Sequence, residues 1–337
     1  MKKPRYTIKK GIIIIFTMLV LILLISVISI NVGKMNLSPK EVLDVLLQNG
    51  TPKQNLIIYE FRLPRIILAI LVGIGMGASG CIMQSLLRND MASPGTLGIS
   101  SGSGLFVLVY VVALGAKGYS SAIIMPLLAF LGGLTAAFLI FILSYQKGKE
   151  VSPTNLILTG VALSSGYSAV SIILTLRLDD RQMDFVQRWS AGSLWGDKWN
   201  YLAILIPWTI LLYIYIYLKA HKLNILNLGN QTATGLGVAT KKEFIGLALA
   251  AVALSAGSVS LGGNFFFVGM ISPHMAKKLV GSNHKLLLPA ASLAGAIIVL
   301  LADTITRTIS FGADIPTGII ITVLSTPYFL YLLSREN

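Results

Sequence analysis

Reactive side chains are scarce in this chain of 337 residues, which has one cysteine and three histidines. The single thiol, Cys81, excludes an intrachain disulfide and leaves the redox compartment unread. His221, His274 and His284 have neither metal-ligand spacing nor an HExxH pattern, so no bound metal is expected. Neither Gly33–Lys34–Met35 nor Gly148–Lys149–Glu150 continues with Ser or Thr, which excludes a Walker-type nucleotide site. No GxSxG stands at a strand–helix turn. The nucleophile, base and metal constellations of an enzyme are therefore missing, and no catalytic residue is assigned. Charge is scarce as well, at 12% of residues against about 25% in a soluble domain. Among the few acids, Asp303 is the main one inside an apolar run. A proton- or sodium-coupled carrier keeps acids or broken-helix ion sites near the bilayer midplane. Their scarcity points to energy supplied from outside the chain.

The rest of the sequence suits a bilayer. Hydrophobic residues make up 55% of it and the mean hydropathy is +0.78, which marks a polytopic membrane protein. The formal net charge of +14 would suit nucleic acid, but the basic residues form short tracts between apolar runs. That is the pattern of membrane topology and anionic lipid, and no nucleic-acid partner is expected. The first apolar run, Gly11 to Ile30, follows Lys2, Lys3, Arg5, Lys9 and Lys10 as a signal peptide would. It exceeds a usual signal core and no small-residue cleavage pattern follows, so it reads as a retained first span. At about 20 apolar residues per helix, ten spans are expected: 11–32, 64–87, 94–114, 121–144, 153–176, 200–218, 243–261, 264–280, 286–306 and 316–333. The third and eighth are short and broken by Gly or Pro. Ten spans put both termini on one side. Lysine and arginine are in modest excess on the side that also carries Lys147, Lys149, Lys219, Lys222, Lys241, Lys242, Lys277, Lys278 and Lys285. That excess places both termini in the cytoplasm. Lys34 and Lys117 fall outside, with most of the acids: Glu41, Asp44, Glu60, Asp179, Asp180, Asp184, Asp197 and Asp314.

Local patterns add candidate sites. The outer segment 33–63 holds "LSPKEVLDVLLQNG", a short amphipathic helix with Ser38 as its N-cap and Pro39 at its first position. It ends in "EFRLPR", where Arg62 and Arg65 flank Pro64 at the mouth of the second span. Pro64 suits the first turn of a helix and places Arg65 where a cation opposes the macrodipole, at a cost of a few tenths to about 1 kcal/mol. Glu60 is an acid near enough to offset part of this. The two arginines either snorkel to headgroups or serve a partner outside the chain. Arg307 has a similar status, with Asp303 one turn earlier as an intrachain alternative. Residues 219–242, "KAHKLNILNLGNQTATGLGVATKK", read as two short helices at the membrane surface, with turn signals at Gly229–Asn230 and Gly235–Gly237. They form either an interfacial segment or a docking knob. Gln84, Asn89 and Thr96 suit a pathway lining or structural hydrogen bonds. Gly73, Gly75, Gly77 and Gly80 read as helix-packing positions. Trp189, Trp195 and Trp199 read as an interfacial aromatic belt, with a lining of the outer vestibule as the second reading.

In order and spacing, the chain resembles the FecCD-type permease subunits of ABC importers for iron–siderophore complexes, haem and vitamin B12. The matching stretches are "RLPRIILAILVGIGMGASGCIMQSLLRND" with "ASPGTLGISSGSG", "NLILTGVALSSG", "RWSAGSLWGDKW", "LGNQTATGLGV", "FFFVGMISPHMAKKLVGSNHKLLLPAASLAGAIIVLLADTITR" and "IPTGIIITVLSTPYFLYLL". Asp90–Met91 and Met270–Ile271–Ser272–Pro273–His274 depart mildly from the family pattern. The resemblance implies an all-α polytopic fold with ten transmembrane helices, the type II ABC importer permease fold, as a single domain over 1–337. It implies a second permease subunit, ATPase subunits that bind ATP and Mg below, and a substrate-binding protein above, in a bacterial cytoplasmic membrane. The chain itself would bind no cofactor. Carried over residue by residue, Arg62, Arg65 and Arg307 would dock the binding protein. Leu228, Gly229, Thr232, Ala233, Leu236, Gly237 and Val238 would couple to the ATPase, and Thr154 and Asn155 would stand at the cytoplasmic gate. The implied cargo is a ferric siderophore, with haem or vitamin B12 as the alternative within the family. A secondary carrier without an ATPase is the rival outside it.

Overall fold

The computed structural model describes residues 8–33, 35, 37–114, 124–145, 152–195, 197–308 and 315–335. Lys2, Lys3, Arg5, Lys34, Lys117, Lys147, Lys149 and Asp314, which bear on the expected orientation, lie outside the described residues. Within them the regular structure is helical: α1 Ile8–Asn31, α2 Pro39–Leu46, α3 Pro52–Leu87, α4 Ile99–Leu114, α5 Ile124–Ser144, α6 Pro153–Thr175 and α7 Asp180–Ser190. There follow α8 Trp199–Leu218, α9 Ala220–Leu226, α10 Asn230–Gly235, α11 Thr240–Gly262, α12 Phe266–Val280, α13 His284–Thr308 and α14 Thr317–Arg335. Every expected span holds a helix. Seven of the described helices, α1, α3, α5, α6, α8, α11 and α13, are long and apolar enough to cross a membrane. Two that fall on expected spans are shorter: α4 has 16 residues, about 24 Å at 1.5 Å per residue, and α12 has 15.

Two boundaries differ from expectation for physical reasons. The third span was expected from residue 94, but α4 begins at Ile99. Residues 93–96 instead form a turn closed on itself, Ser93 N–H donating to Thr96 Oγ1 at 2.9 Å and Thr96 N–H to Ser93 Oγ at 3.2 Å. The second span was expected to open at Pro64, but α3 already runs from Pro52, capped by Thr51 and Gln54. Leu56–Arg62 is π-helical, and Leu63 N–H donates to the Ile58 carbonyl. Proline inside an α-helix crowds the carbonyl four residues back and leaves it without a donor. A wider π turn just ahead of Pro64 accommodates that. Arg65 thus sits well inside a continuous helix and not in its first turn, so the expected macrodipole penalty falls away.

α3 is the axis of the fold. It is buried over most of its length, packed by α11, α12 and α13. Its glycines make the contacts. A Cβ on Gly73 would meet the backbone of Gly295 and Ala296, on Gly77 that of Ala291, on Gly75 the Ser258 hydroxyl, and on Gly80 the Gly269 carbonyl. In lipid, where apolar side chains gain nothing by association, such close backbone approach is what holds helices together. Gly102 and Gly132 do the same for α4 and α5. By contrast α6 is scarcely covered, with Leu156 and Gly160 as its buried residues. On the same face of the chain as α1's end, α2 seals a small separate core of Leu37, Val42, Val45 and Ile58. Ser38 and Glu41 form a capping box at its start, and Gln54 Nε2 ties Glu41 to α3 at 2.9 Å. Of the three tryptophans expected in a belt, Trp189 is instead buried at 3% exposure. Trp199 is exposed and donates to the Tyr59 carbonyl at 2.8 Å.

Gly80→Ala is expected to lower the thermal stability of the detergent-purified protein by at least about 1–3 kcal/mol, the overpacking range. Gly166→Ala, with nothing within 4 Å of the added carbon, is expected to be silent or stabilising in the same melt.

Candidate functional site

Polar chemistry gathers at the two ends of α3. At the end that begins with Pro52, Asp303 of α13 is fully buried. Its Oδ1 accepts from Arg65 Nε at 2.9 Å and its Oδ2 from Arg307 Nε at 2.9 Å. Thr317 at the start of α14 donates to Oδ1 at 3.5 Å. Arg65 also lies 3.8 Å from Asp197, in the loop before α8. Burial pushes the Asp197 carboxyl above the usual range, with Arg65 opposing. Arg307 donates to Ser29 of α1. Arg62, 5% exposed, donates to the carbonyls of Ile30 and Met35. It thereby satisfies α1 where helix carbonyls run out of intrahelical donors. The sequence brought Arg62, Arg65 and Arg307 forward as one group, and the fold does bring them together. They divide their work: Arg62 on backbone, Arg65 and Arg307 on a shared carboxylate. Three arginines face two aspartates, so the cluster stays net positive. Asp197 was not singled out by the sequence because only the fold carries that loop to α3.

At the other end, α9 and α10 form a small platform. Leu228 and Leu236 point apolar side chains outward at 64% and 60% exposure, while Ala233 is buried beneath them. Thr232 and Gly237 are exposed and Val238 is half-buried, and Gly229 and Gly237 take positive φ, +110° and +78°. Three sets of contacts brace the platform. Lys219 and Lys222 both pair with Glu243 of α11, at 2.6 and 2.5 Å. Glu243 holds the Lys219 ammonium above its usual range. Arg88, the left-handed cap of α3, reaches Asn230 Oδ1 at 2.7 Å and the Leu226 carbonyl.

The third brace is a buried relay. Asn224 Oδ1 accepts from the His284 backbone N–H at 2.9 Å and lies 2.7 Å from His284 Nδ1, while His284 Nε2 lies 2.5 Å from Ser85 Oγ of α3. Asn224 Nδ2 donates to Asn283 Oδ1, which also accepts from Lys285 N–H. With the Asn224 oxygen fixed as an acceptor, the proton of a neutral His284 belongs on Nδ1 and Ser85 donates to Nε2. None of Arg88, Asn224, Glu243 or His284 was singled out by the sequence. Each is polar and unremarkable by spacing, and gains meaning only from a partner far along the chain.

Between these braces lies a cavity of about 600 Å³. Gln84, Asn89 and Thr154, three of the five residues put forward as pathway or gate, line it together with Arg88, Lys277 and His284. Gln84 Nε2 donates to the Met270 carbonyl at 2.9 Å, and Asn89 Oδ1 accepts from Met91 N–H at 2.8 Å. Asp90, a departure from the family pattern, pairs with Lys277 at 2.8 Å. Thr96 and Asn155 are not among the lining residues. Thr96 serves the turn described above, and Asn155 N–H donates to the capping Ser152 Oγ at 3.4 Å. Among the described residues no group of three or more His, Cys, Asp or Glu could hold a metal.

Known proteins share this architecture. A family model described as the FecCD transport family matches residues 20–335. The iron(3+)-hydroxamate import system permease protein FhuG of Bacillus subtilis (strain 168) is 40% identical over 334 residues, covering 97% of this chain and 98% of that one. The hemin transport system permease protein HmuU of Yersinia pestis is 34% identical over 321 residues, 95% of each. A solved metal-chelate type ABC transporter in an inward-facing conformation superposes with a TM-score of 0.82 at 28% identity, covering 96% of this chain and 99% of that one.

Asp303→Ala leaves Arg65 and Arg307 facing each other without their carboxylate and is expected to cost about 3–5 kcal/mol, the range for breaking a buried pair, read as a fall in melting temperature. His284→Phe is expected to speed amide exchange across 220–226 while leaving the middle of α13 protected, since it removes the buried one of the platform's two ties to α3, the other being Arg88, without emptying the space.

Proposed function

Because the chain belongs to the FecCD transport family, we propose that it is the membrane-spanning permease subunit of an ATP-driven importer of ferric siderophore. The observation that carries the substrate is the 40% identity, over nearly the whole length of both chains, with a permease for iron(3+)-hydroxamate import. Haem is the second reading, favoured by the 34% identity to a hemin permease. In this proposal the chain lies in a bacterial cytoplasmic membrane with both termini inside. It pairs with a second permease subunit, the same chain or a paralogue, around a shared pathway.

The mechanism is alternating access. A substrate-binding protein delivers the chelate to the outer face, where the net-positive cluster of Arg62, Arg65 and Arg307 meets acidic side chains. Arg65 and Arg307 are the partly accessible members, and an incoming carboxylate shares them with Asp303 and Asp197. Charge complementarity of this kind sets orientation and encounter rate. On the inner face the Leu228–Val238 platform seats in an ATPase subunit through its exposed leucines. ATP, with Mg, acts in that partner. Closure of the ATPase pair pushes the platform. Lys219, Lys222 and Arg88 pass the displacement to α11 and α3, and the Asn224–His284–Ser85 relay passes it to α13 and α3. Gln84, Asn89 and Thr154 line the cavity those helices bound, so they are proposed as its gate. Thr96 and Asn155 support that region from its edges.

The experiment is uptake of radio-iron as a ferric trihydroxamate by proteoliposomes holding the complete complex. Uptake is expected to require the ATPase and the binding protein; uptake that persists without the ATPase overturns the proposal in favour of a secondary carrier. Leu228→Glu with Leu236→Glu is expected to abolish co-purification of the ATPase. Arg65→Glu with Arg307→Glu is expected to weaken binding-protein affinity by about a hundredfold, the scale of a lost interfacial charge pair. Acid-to-arginine exchange on the binding protein is expected to restore it.

A further inference from the structure

A second cavity, of about 310 Å³, opens between α4, α6, α7 and the turn that joins α11 to α12. Three elements each leave a buried polar atom there without a hydrogen-bond partner: Ser100 Oγ from α4, Trp189 Nε1 from α7 and Asn264 Oδ1 from the turn. Ser100 is 6% exposed and Trp189 3%. A buried polar atom left unpaired is costly, and native proteins keep such atoms where something else completes them. The three are complementary in kind: the indole only donates, the amide oxygen only accepts, and the hydroxyl does both. Their positions are fixed by packing, since the Trp189 ring lies against α4 at Gly104, 3.4 Å from where a Cβ would stand. Ser168 and Ser171, three apart on one face of α6, add hydroxyls along the open side.

The lining contains no ionisable side chain. A bare ferric ion would find no carboxylate, imidazole or thiolate here, and an anionic ligand would find no cation. The volume is at the low end for a ligand pocket, which suits one arm or edge of a large molecule.

We propose that this cavity is a contact site for the uncharged, hydrogen-bonding periphery of a metal chelate, such as the amide and carbonyl groups of a ferric trihydroxamate. The site rests on the permease reading and deepens it: the chain would hold its cargo by neutral donors and acceptors from three helices and a turn, and would favour neutral chelates over anionic ones.

The test uses the complete complex in proteoliposomes, with ferric trihydroxamate and ferric citrate as probes. The variants are Trp189→Phe, which removes the donor and keeps the ring, Asn264→Leu, and the double change Ser168→Ala with Ser171→Ala. The two serines lie on the lightly covered α6, so their loss leaves the fold intact even if the other two variants insert poorly. The number read is iron imported per ATP hydrolysed, for each probe. Each variant is expected to lower it about tenfold for the trihydroxamate, the effect of losing one hydrogen bond worth about 1.4 kcal/mol, and to narrow the preference over ferric citrate. Wild-type import of the trihydroxamate with every inserted variant matching it overturns the site and leaves the permease reading standing, the cavity then holding water alone. Failure of the wild-type complex to import ferric trihydroxamate, ferric citrate or haemin overturns both.

Discussion

The close approach of α3 to α11, α12 and α13 is the contact on which the rest depends. Hydrocarbon gives apolar helices no reason to associate, so distance is everything. Four glycines bring the α3 backbone against the backbone or small side chains of three neighbours. That leaves α3 almost without lipid contact, and it allows one helix to carry polar chemistry at both ends. Arg62 and Arg65 stand at one end, Ser85 and Arg88 at the other. Charges so placed are costly in a membrane unless answered by protein. Here the answers come from helices that the glycine contacts have already set in place.

The two ends share one device and differ in another. The cluster around Asp303 is ionic and shared: one buried carboxylate serves two arginines, and a third arginine serves backbone carbonyls. Such a centre is stable because each member is over-committed, and it can exchange partners without any group being stranded. The platform at the other end also rests on a shared buried carboxylate, Glu243 under two lysines, and adds a directional relay through His284. Directional hydrogen bonds resist displacement in one geometry only, which makes them suited to transmitting a shift.

Much of the architecture was legible in the residues. Apolar runs located the helices, because a bilayer imposes length and composition together. Ser38 and Pro39 marked α2 by cap chemistry that acts over three residues. Reading failed where a local rule met a longer-range one. Pro64 looked like a helix start, yet a π turn lets the helix run through it. Trp189 looked interfacial, yet it is buried against α4. Of the two readings Thr96 allowed, pathway lining or structural hydrogen bonds, it makes the hydrogen bonds, closing a turn with Ser93. The partners of Arg65 divide along the same line: Asp303 and Asp197 lie 238 and 132 positions away in sequence, beyond the reach of any periodicity.

The thin coverage of α6 leaves the chain with a flank of mixed character. Of the seven long apolar helices α6 has the smallest buried share, with Leu156 and Gly160 as its buried residues. Val161, Val170, Ile172 and Ile173 stand exposed along it, while Ser168 and Ser171 open onto the cavity beside α4 and α7. One helix thus divides its uncovered surface between side chains that an apolar surrounding covers at no cost and hydroxyls that only a polar one satisfies.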